Sequence, residues 1–423
     1  MKKQNNIFLG LLFLGFLYSS NSVAQEKKIS LEEAKSIAIE HNKKLKQSKL
    51  HVDAATASLS SVKAGAKPTL DGALMGIYLS DPINTLLPEF QANANLAATQ
   101  VIYAGGKIQN GKKIATSALD IQMSQKELTE DEVLLQVETS YWTIVKLKEK
   151  KVLAEKYAYL LNTLHQSLQN AYDAGLTYKN DLLKVEVTQN EAELDIIRLH
   201  DAVTMAKHSL AQTMGKPAEN IDVEDSIDQN EFYITTTESG AENRPELQIL
   251  AKAVEMQSLK SQILKGDRRP TVVLGAYGVA AVGKQINFKT RENTMPFFAG
   301  MLSVNIPILD WGSRKQKVAE QEFKTEAQKL ALTETQELIE LQIKDAKLQV
   351  NQSVIAIGLA EKSLKQAEEN LRLNEDRLYA GTVIGEEVLK AQVLWQGAYS
   401  NLIDAKAAYK INEAKYKKAI GAY

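Results

Sequence analysis

The sequence has no cysteine. That excludes a disulfide framework, a thiol nucleophile and a cysteine-anchored lipid at the mature N-terminus. Proline is scarce: there are eight in 423 residues, and none between Pro88 and Pro217. Proline removes a backbone donor and clashes with the preceding helical turn, so its absence leaves room for long uninterrupted helix. Positive charge is not in excess either, with 51 Lys+Arg against 52 Asp+Glu. The basic footprint of a nucleic-acid-binding protein is therefore missing. Beyond the first two dozen residues, no stretch approaches the roughly 18 consecutive apolar residues of a membrane-spanning helix.

The N-terminus reads as a secretory signal, residues 1–24. Lys2 and Lys3 form a basic start, Ile7 to Leu17 an apolar stretch, and Ser22-Val23-Ala24 a small-residue cleavage site. The apolar stretch is short for a membrane anchor, which needs about 20 residues. Cleavage after Ala24 removes two lysines and leaves 49 basic against 52 acidic side chains.

What the chain does contain is a duplication. Ala174-Gly175 with Asp181-Leu182-Leu183-Lys184 recurs as Ala380-Gly381 with Glu387-Val388-Leu389-Lys390, 206 positions on. The same 206 relates Gly106 to Gly312 and Gly215 to Gly421. Upstream the offset is 202, from Lys67-Pro68-Thr69 to Arg269-Pro270-Thr271 and from Lys44-Leu45 to Glu246-Leu247. The change in offset places four extra residues between Thr271 and Gly312. A repeat this long exceeds the roughly 20–50-residue units of solenoids. The expected organisation is a first structural repeat, 25–215, an inter-repeat linker, 216–241, and a second repeat, 242–423.

Most of each repeat reads as helix. Gly111 to Tyr172 has no proline and no internal glycine, and Gly312 to Leu378 encloses only Gly358. Ala, Leu, Lys, Glu and Gln dominate both, as in long helices. At 1.5 Å per residue, each would reach roughly 100 Å. Ile343, Val350, Ile357, Leu364, Leu371 and Leu378 recur at seven, flanked by a small-residue row (Ala346, Ser353, Ala360, Ala367) and a second apolar row (Leu341, Leu348, Ile355). Sevenfold spacing imposes coiled-coil packing, and several apolar rows imply more than one neighbour. The first long segment has the less regular row Leu147, Ala154, Leu161 and Leu168. Shorter helices are expected over Leu31 to about Lys63, Asp181–Met214, Pro245 to about Lys265 and Glu386–Ile420, stacked in pairs beside the long ones.

Between the opening and long helices the texture changes. Thr69–Leu79 with Ala92–Tyr103, and Thr271–Gly283 with Phe298–Leu309, read as β-hairpins, about 69–103 and 271–309. Alternation is clearest at Leu302, Val304, Ile306 and Ile308 against Ser303 and Asn305. Tyr78, Tyr103, Phe297 and Phe298 near strand ends suit either girdle aromatics or ordinary core. These strands of about 11–13 residues fit a tilted outer-membrane strand. Four strands cannot close a barrel, and open edges do not survive in lipid. Two chains would give eight strands and a filled interior, whereas three would give twelve and leave a lumen.

At this point the pattern resembles the TolC-type outer membrane factor family. Asn305-Ile306-Pro307-Ile308-Leu309-Asp310-Trp311-Gly312 looks like the family's strand-to-helix turn, usually Pro-Leu-Phe-Asp-Gly-Gly, with Trp311 in place of a glycine. Tyr103-Ala104-Gly105-Gly106-Lys107 is its partner in the first repeat. Tyr172-Asp173-Ala174-Gly175 and Tyr379-Ala380-Gly381-Thr382 look like the two helical-hairpin tips, and Arg244-Pro245-Glu246-Leu247 like the common Asn-Pro-Glu-Leu helix start. The resemblance covers essentially the whole mature chain. It implies a mainly α fold with a small β part: a homotrimer whose α-helical barrel in the periplasm continues a twelve-stranded barrel in the outer membrane of a Gram-negative bacterium. It also implies a periplasmic adaptor, an energised inner-membrane transporter of RND, ABC or MFS type, and contact with outer membrane lipid. The channel itself would do no chemistry, and no cofactor, metal or nucleic acid is implied.

The tips are the leading functional candidates. Gly175 and Gly381 can supply sharp turns, and Leu176, Thr177, Thr382 and Val383 would meet the adaptor; plain hairpin turns are the competing reading. Glu386 and Glu387 are gate candidates, since threefold symmetry would make them an acidic ring favouring cations. The family's best-known gate has two acidic positions three residues apart. Glu387 matches the first, while the second falls on Lys390, which leaves a Glu387–Lys390 helix-face pair as the alternative. Asp181 is the first repeat's counterpart of Glu387. Ala104-Gly105-Gly106-Lys107 lacks Walker spacing and reads as a turn. His200 and His208, eight apart on a charged helix, read as solvated. No Ser/His/Asp constellation can be assembled, so an enzyme is not expected. A periplasmic coiled-coil scaffold or adaptor is the main alternative, and a pore-forming enzyme a distant third.

Overall fold

The computed structural model describes residues 27–217, 221–224, 226, 227, 232, 233 and 241–423. The expected signal segment and much of the linker at 216–241 lie outside the described residues. The elements are β1 (Lys27–Ile29), α1 (Leu31–His41), α2 (Lys43–Ala64), β2 (Thr69–Tyr78), β3 (Phe90–Ala104), α3 (Lys107–Asp173), α4 (Lys179–Met214), β4 (Ile221–Val223), α5 (Pro245–Gly266), β5 (Thr271–Gly283), β6 (Thr294–Asn305), α6 (Ser313–Tyr379) and α7 (Gly385–Ala419). The two long helices run 67 residues each. The chain divides into two compact units, one of residues 1–42, 136–232 and 355–411, the other of 43–135, 233–354 and 412–423.

In the first unit the core is helical. Tyr157, Leu161, Leu164 and Leu168 of α3 pack with Leu182, Val185 and Ala192 of α4, Leu371 of α6, and Val388 and Ala391 of α7. The sevenfold row Ala154, Leu161, Leu168 is buried, as its spacing requires. Gly385 lets the start of α7 reach α3: a Cβ there would stand 2.5 Å from Leu168 Cδ2. The short strand β4 lies parallel to β1, and Asp222 within it is bound by Lys148, 2.9 Å away, and Lys207, 3.3 Å away.

The opening helix is not continuous. It breaks at Asn42, whose ψ of 132° is non-helical and whose amide donates to the Thr213 carbonyl, 2.6 Å away. Gly215 packs on the break, and a Cβ there would collide with the His41 carbonyl.

In the second unit a four-stranded antiparallel sheet has the order β2-β3-β5-β6. Three strands lie within two residues of expectation at each end. The fourth does not: β6 is Thr294–Asn305, four residues earlier at both ends than Phe298–Leu309. The reason is pairing. Asn305 faces Thr271, the first residue of β5, so among the described residues Ile306–Asp310 has no strand beside it. Pro307 also lacks an N–H for a ladder. At the other end of this unit, Arg244, only 6% exposed, forks Glu246 at the start of α5 and donates to the Ala419 carbonyl, 2.9 Å away, at the end of α7.

Candidate functional site

The register of the sheet sorts its side chains onto two faces. Directly opposed residues share a face. One face carries Leu70, Leu74 and Tyr78 of β2, Phe90, Leu96 and Ala98 of β3, Val272, Leu274 and Val282 of β5, and Phe298, Leu302 and Val304 of β6. It is apolar almost throughout, yet its large side chains are exposed; Leu74 is 88% exposed. The other face mixes polar residues with small and apolar ones, and includes Asp71, Asn93, Asn95, Thr99, Ser303 and Asn305. Of the four aromatics singled out in the sequence, Tyr78, Tyr103 and Phe298 lie on the apolar face and Phe297 on the mixed one. An exposed apolar face backed by one that keeps polar side chains fits lipid outside and water inside a membrane strand. Among the described residues the outer edges of β2 and β6 are unpaired, as no barrel strand in lipid can be.

The strand-to-helix turns match in backbone and differ in side chain. Gly105 and Gly106 have φ of 63° and 91°, and Trp311 and Gly312 have φ of 53° and 86°. The first turn is crowded: a Cβ on Gly105 would sit 2.5 Å from the Gly266 carbonyl oxygen. Lys107 and Asp267 bridge the same spot at 2.7 Å, and Arg269 donates to the Gly105 carbonyl at 3.4 Å. The second turn is open, with Trp311 91% exposed. Asp310 receives the Arg314 and Gly312 backbone N–H groups, 2.9 and 3.1 Å away, which hold its carboxyl below the usual range.

The helical tips are built identically. Gly175 N–H donates to the Tyr172 carbonyl (2.9 Å) and Leu176 N–H to the Ala171 carbonyl (2.8 Å); Gly381 and Thr382 repeat this on Leu378 and Arg377, both at 2.9 Å. This is the Schellman arrangement, with glycine at the left-handed position. Leu176 and Thr382 are exposed, and Thr177 and Val383 half-buried. Thr177 Oγ1 donates to Asp181 at 2.9 Å.

Glu387 lies 3.1 Å from Lys390, so the helix-face pair is formed. Glu386 behaves differently. Its carboxylate accepts from Lys184 on α4 at 2.5 Å and lies 2.9 Å from Lys390. These two cations, Lys184 first, pull its pKa down to about 2. Sequence reasoning missed this cross-hairpin bridge, although the signal was present: Lys184 and Lys390 are repeat counterparts. His200 and His208 are exposed. Among the described residues no helix is long and apolar enough to cross a membrane, which does not bear on a β-barrel.

The sheet thus defines a protein whose strands are shaped for lipid, with a long helix following each hairpin along the chain. A sequence model of the outer membrane efflux proteins matches residues 35–216 and 238–422, nearly the whole chain, and the chain belongs to that family. It is an outer membrane protein that extends into the periplasm. No curated protein matches it. Among solved structures it resembles the transmembrane channel CusC (TM-score 0.82, 15% identity, 94% of this chain and 95% of that one). It also resembles the Campylobacter jejuni outer membrane channel CmeC (0.82, 15%, 93% and 85%) and the Neisseria gonorrhoeae outer membrane channel MtrE in its open state (0.78, 17%, 92% and 88%). At these identities the likeness is one of fold.

Proposed function

We propose that three copies of the chain form the exit duct of a tripartite efflux or type I secretion system, with no catalytic step of its own. The observation that carries this is the sheet: one face is apolar and exposed along four strands, and both edges are open. Three copies give twelve strands, enough to leave a lumen behind the apolar face. The exposed row Leu341, Leu348 and Ile355, spaced by seven, supports helix contacts to a second copy. The two repeats, 25–215 and 242–423, would each supply one hairpin to the barrel and one to the helical wall, with 216–241 between them. A periplasmic adaptor would dock on the tips at Gly175–Thr177 and Gly381–Val383, and an inner-membrane transporter of RND, ABC or MFS type would supply the energy. Migration of purified outer membranes on a gel tests the assembly: heat-modifiable trimers are expected, and recovery as a soluble periplasmic protein would sink the reading in favour of a scaffold.

The gate reading places Glu386, Glu387 and Asp181 at the periplasmic entrance. The Lys184–Glu386 bridge gives it a physical form, because it ties the start of α7 to α4. Single-channel recordings of the double variant Glu386→Gln/Glu387→Gln should show altered conductance and weaker cation selectivity. Unchanged values for both would remove these residues from the gate.

A further inference from the structure

The duplication supplies a template for a contact that one copy cannot make. Within the chain, the turn after β3 meets the end of α5: Gly105 lies against Gly266, Arg269 donates to the Gly105 carbonyl, and β3 pairs with β5 up to Ala104–Thr271. The counterpart of this seam joins the turn after β6, at Trp311, to the end of α2, at Ala64–Lys67. Both halves are present in matching geometry. Asn110 N–H bonds the Gly106 carbonyl at 3.1 Å, and Gln316 N–H bonds the Gly312 carbonyl at 3.1 Å. Arg269 N–H bonds the Gly266 carbonyl, and Lys67 N–H bonds the Ala64 carbonyl. Yet β6 and β2 are opposite edges of the sheet, so the two halves do not meet in one chain.

We propose that Ile306–Trp311 is completed by a second copy, and that Trp311 is the side chain that fills that seam. This rests on the trimeric reading above. The last five residues of β3, Gln100–Ala104, are paired by β5 alone, since β2 ends its pairing at Thr69–Thr99. Their counterparts are Ile306–Asp310, the run after β6 that pairs with no strand among the described residues. Carrying over the β3–β5 register sets Asp310 opposite Thr69 of the partner subunit and Leu309 opposite Leu70 of the partner subunit. Ile308 takes the place of Ile102, the extra residue of the β3 bulge. The same register puts Ile306 and Leu309 on the apolar face. A one-residue slip would put Asp71 of the partner subunit there, and register is strongly specified where one face is apolar.

The seam between copies differs from the seam within one. Gly105 and Gly266 touch backbone to backbone. Their counterparts are Trp311 and Ala64, both larger, so the second seam is wider and the indole occupies the added space. A left-handed backbone disfavours any side chain, least of all glycine. Trp311 holds that conformation with its ring in solvent in the single copy.

The absence of native cysteine makes the test direct. Leu309→Cys with Leu70→Cys should give disulfide-linked dimers and trimers of the outer membrane protein on non-reducing gels. Leu309→Cys with Gly72→Cys should lose that cross-link, because diagonal neighbours stand roughly 7–8 Å apart, beyond disulfide reach. Trp311→Gly relieves the backbone and removes the filler. It should lower the temperature at which the trimer dissociates, whereas a merely exposed turn residue would leave it unchanged or raise it. Normal trimers that cross-link only through the shifted pair, or not at all, overturn the inference, as does a Trp311→Gly trimer at least as heat-resistant as the parent. Failure of the unaltered protein to form any trimer overturns the trimeric reading, and this inference with it.

Discussion

Single residues in the second unit carry more than their share of the fold. Arg244 neutralises Glu246 and satisfies carbonyls at the end of α7 while almost fully buried. Burial pushes the Glu246 carboxyl up, but the guanidinium outweighs it and holds the group below its usual range. Removing the guanidinium strands a half-buried carboxylate and leaves carbonyls at the end of α7 without a donor, so Arg244→Met should destabilise the protein by about 2 kcal/mol in denaturant titrations. Asp131 works in the opposite sense. Burial raises its pKa to about 6, partly offset by Lys418. A carboxyl whose folded pKa is raised contributes most stability below its unfolded value of roughly 4, and loses it as pH rises through about 6. Asp131→Asn should therefore raise the melting temperature at pH 7.5, and the gain should fade as pH falls towards 4.

At the scale of elements, four glycines spaced as two pairs 206 apart, Gly175 with Gly381 and Gly215 with Gly421, end helices in the left-handed conformation. They were readable because left-handed turns favour glycine wherever they occur. The long helices and three of the strands were readable for a similar reason: their signals are local. The break at Asn42 was not, since Leu31 to Lys63 has helical texture throughout and the break depends on Thr213 and Gly215, far along the chain. The early end of β6 was hidden for the same reason, as the alternation of Leu302 to Ile308 says nothing about what lies beside it. The cross-hairpin role of Glu386 likewise needed Lys184 in space. The two kinds of glycine can be separated by experiment. At Gly381 nothing lies within 4 Å of an added Cβ, so Gly381→Ala should cost only the left-handed penalty of about 1–2 kcal/mol. At Gly215 the same methyl meets the His41 carbonyl as well, so Gly215→Ala should cost clearly more. Urea midpoints of the two variants measured side by side check the order.

For the whole molecule, the deciding asymmetry is between the two faces of one sheet. A soluble sheet would bury Leu70, Leu74, Leu96, Phe298 and Leu302 against something in the chain, and here they face outward. In a bilayer, that exposure is the stabilising arrangement, because the hydrocarbon core takes the place of a protein core. The opposite face can keep Asp71, Asn93 and Asn95 only if water reaches it. A charge placed on each face separates this arrangement from a soluble one. Leu74 lies mid-strand on the apolar face, where an arginine near the bilayer midplane costs roughly 2–4 kcal/mol. Asn95 faces Ala73 on the mixed face of the neighbouring residue pair. Leu74→Arg should therefore sharply reduce the heat-modifiable protein recovered from outer membranes. Asn95→Arg should leave recovery close to that of the parent and shift ion selectivity towards anions in planar bilayers. Equal recovery of the two variants would mean that neither face meets lipid, and the sheet would then have to be covered by protein instead.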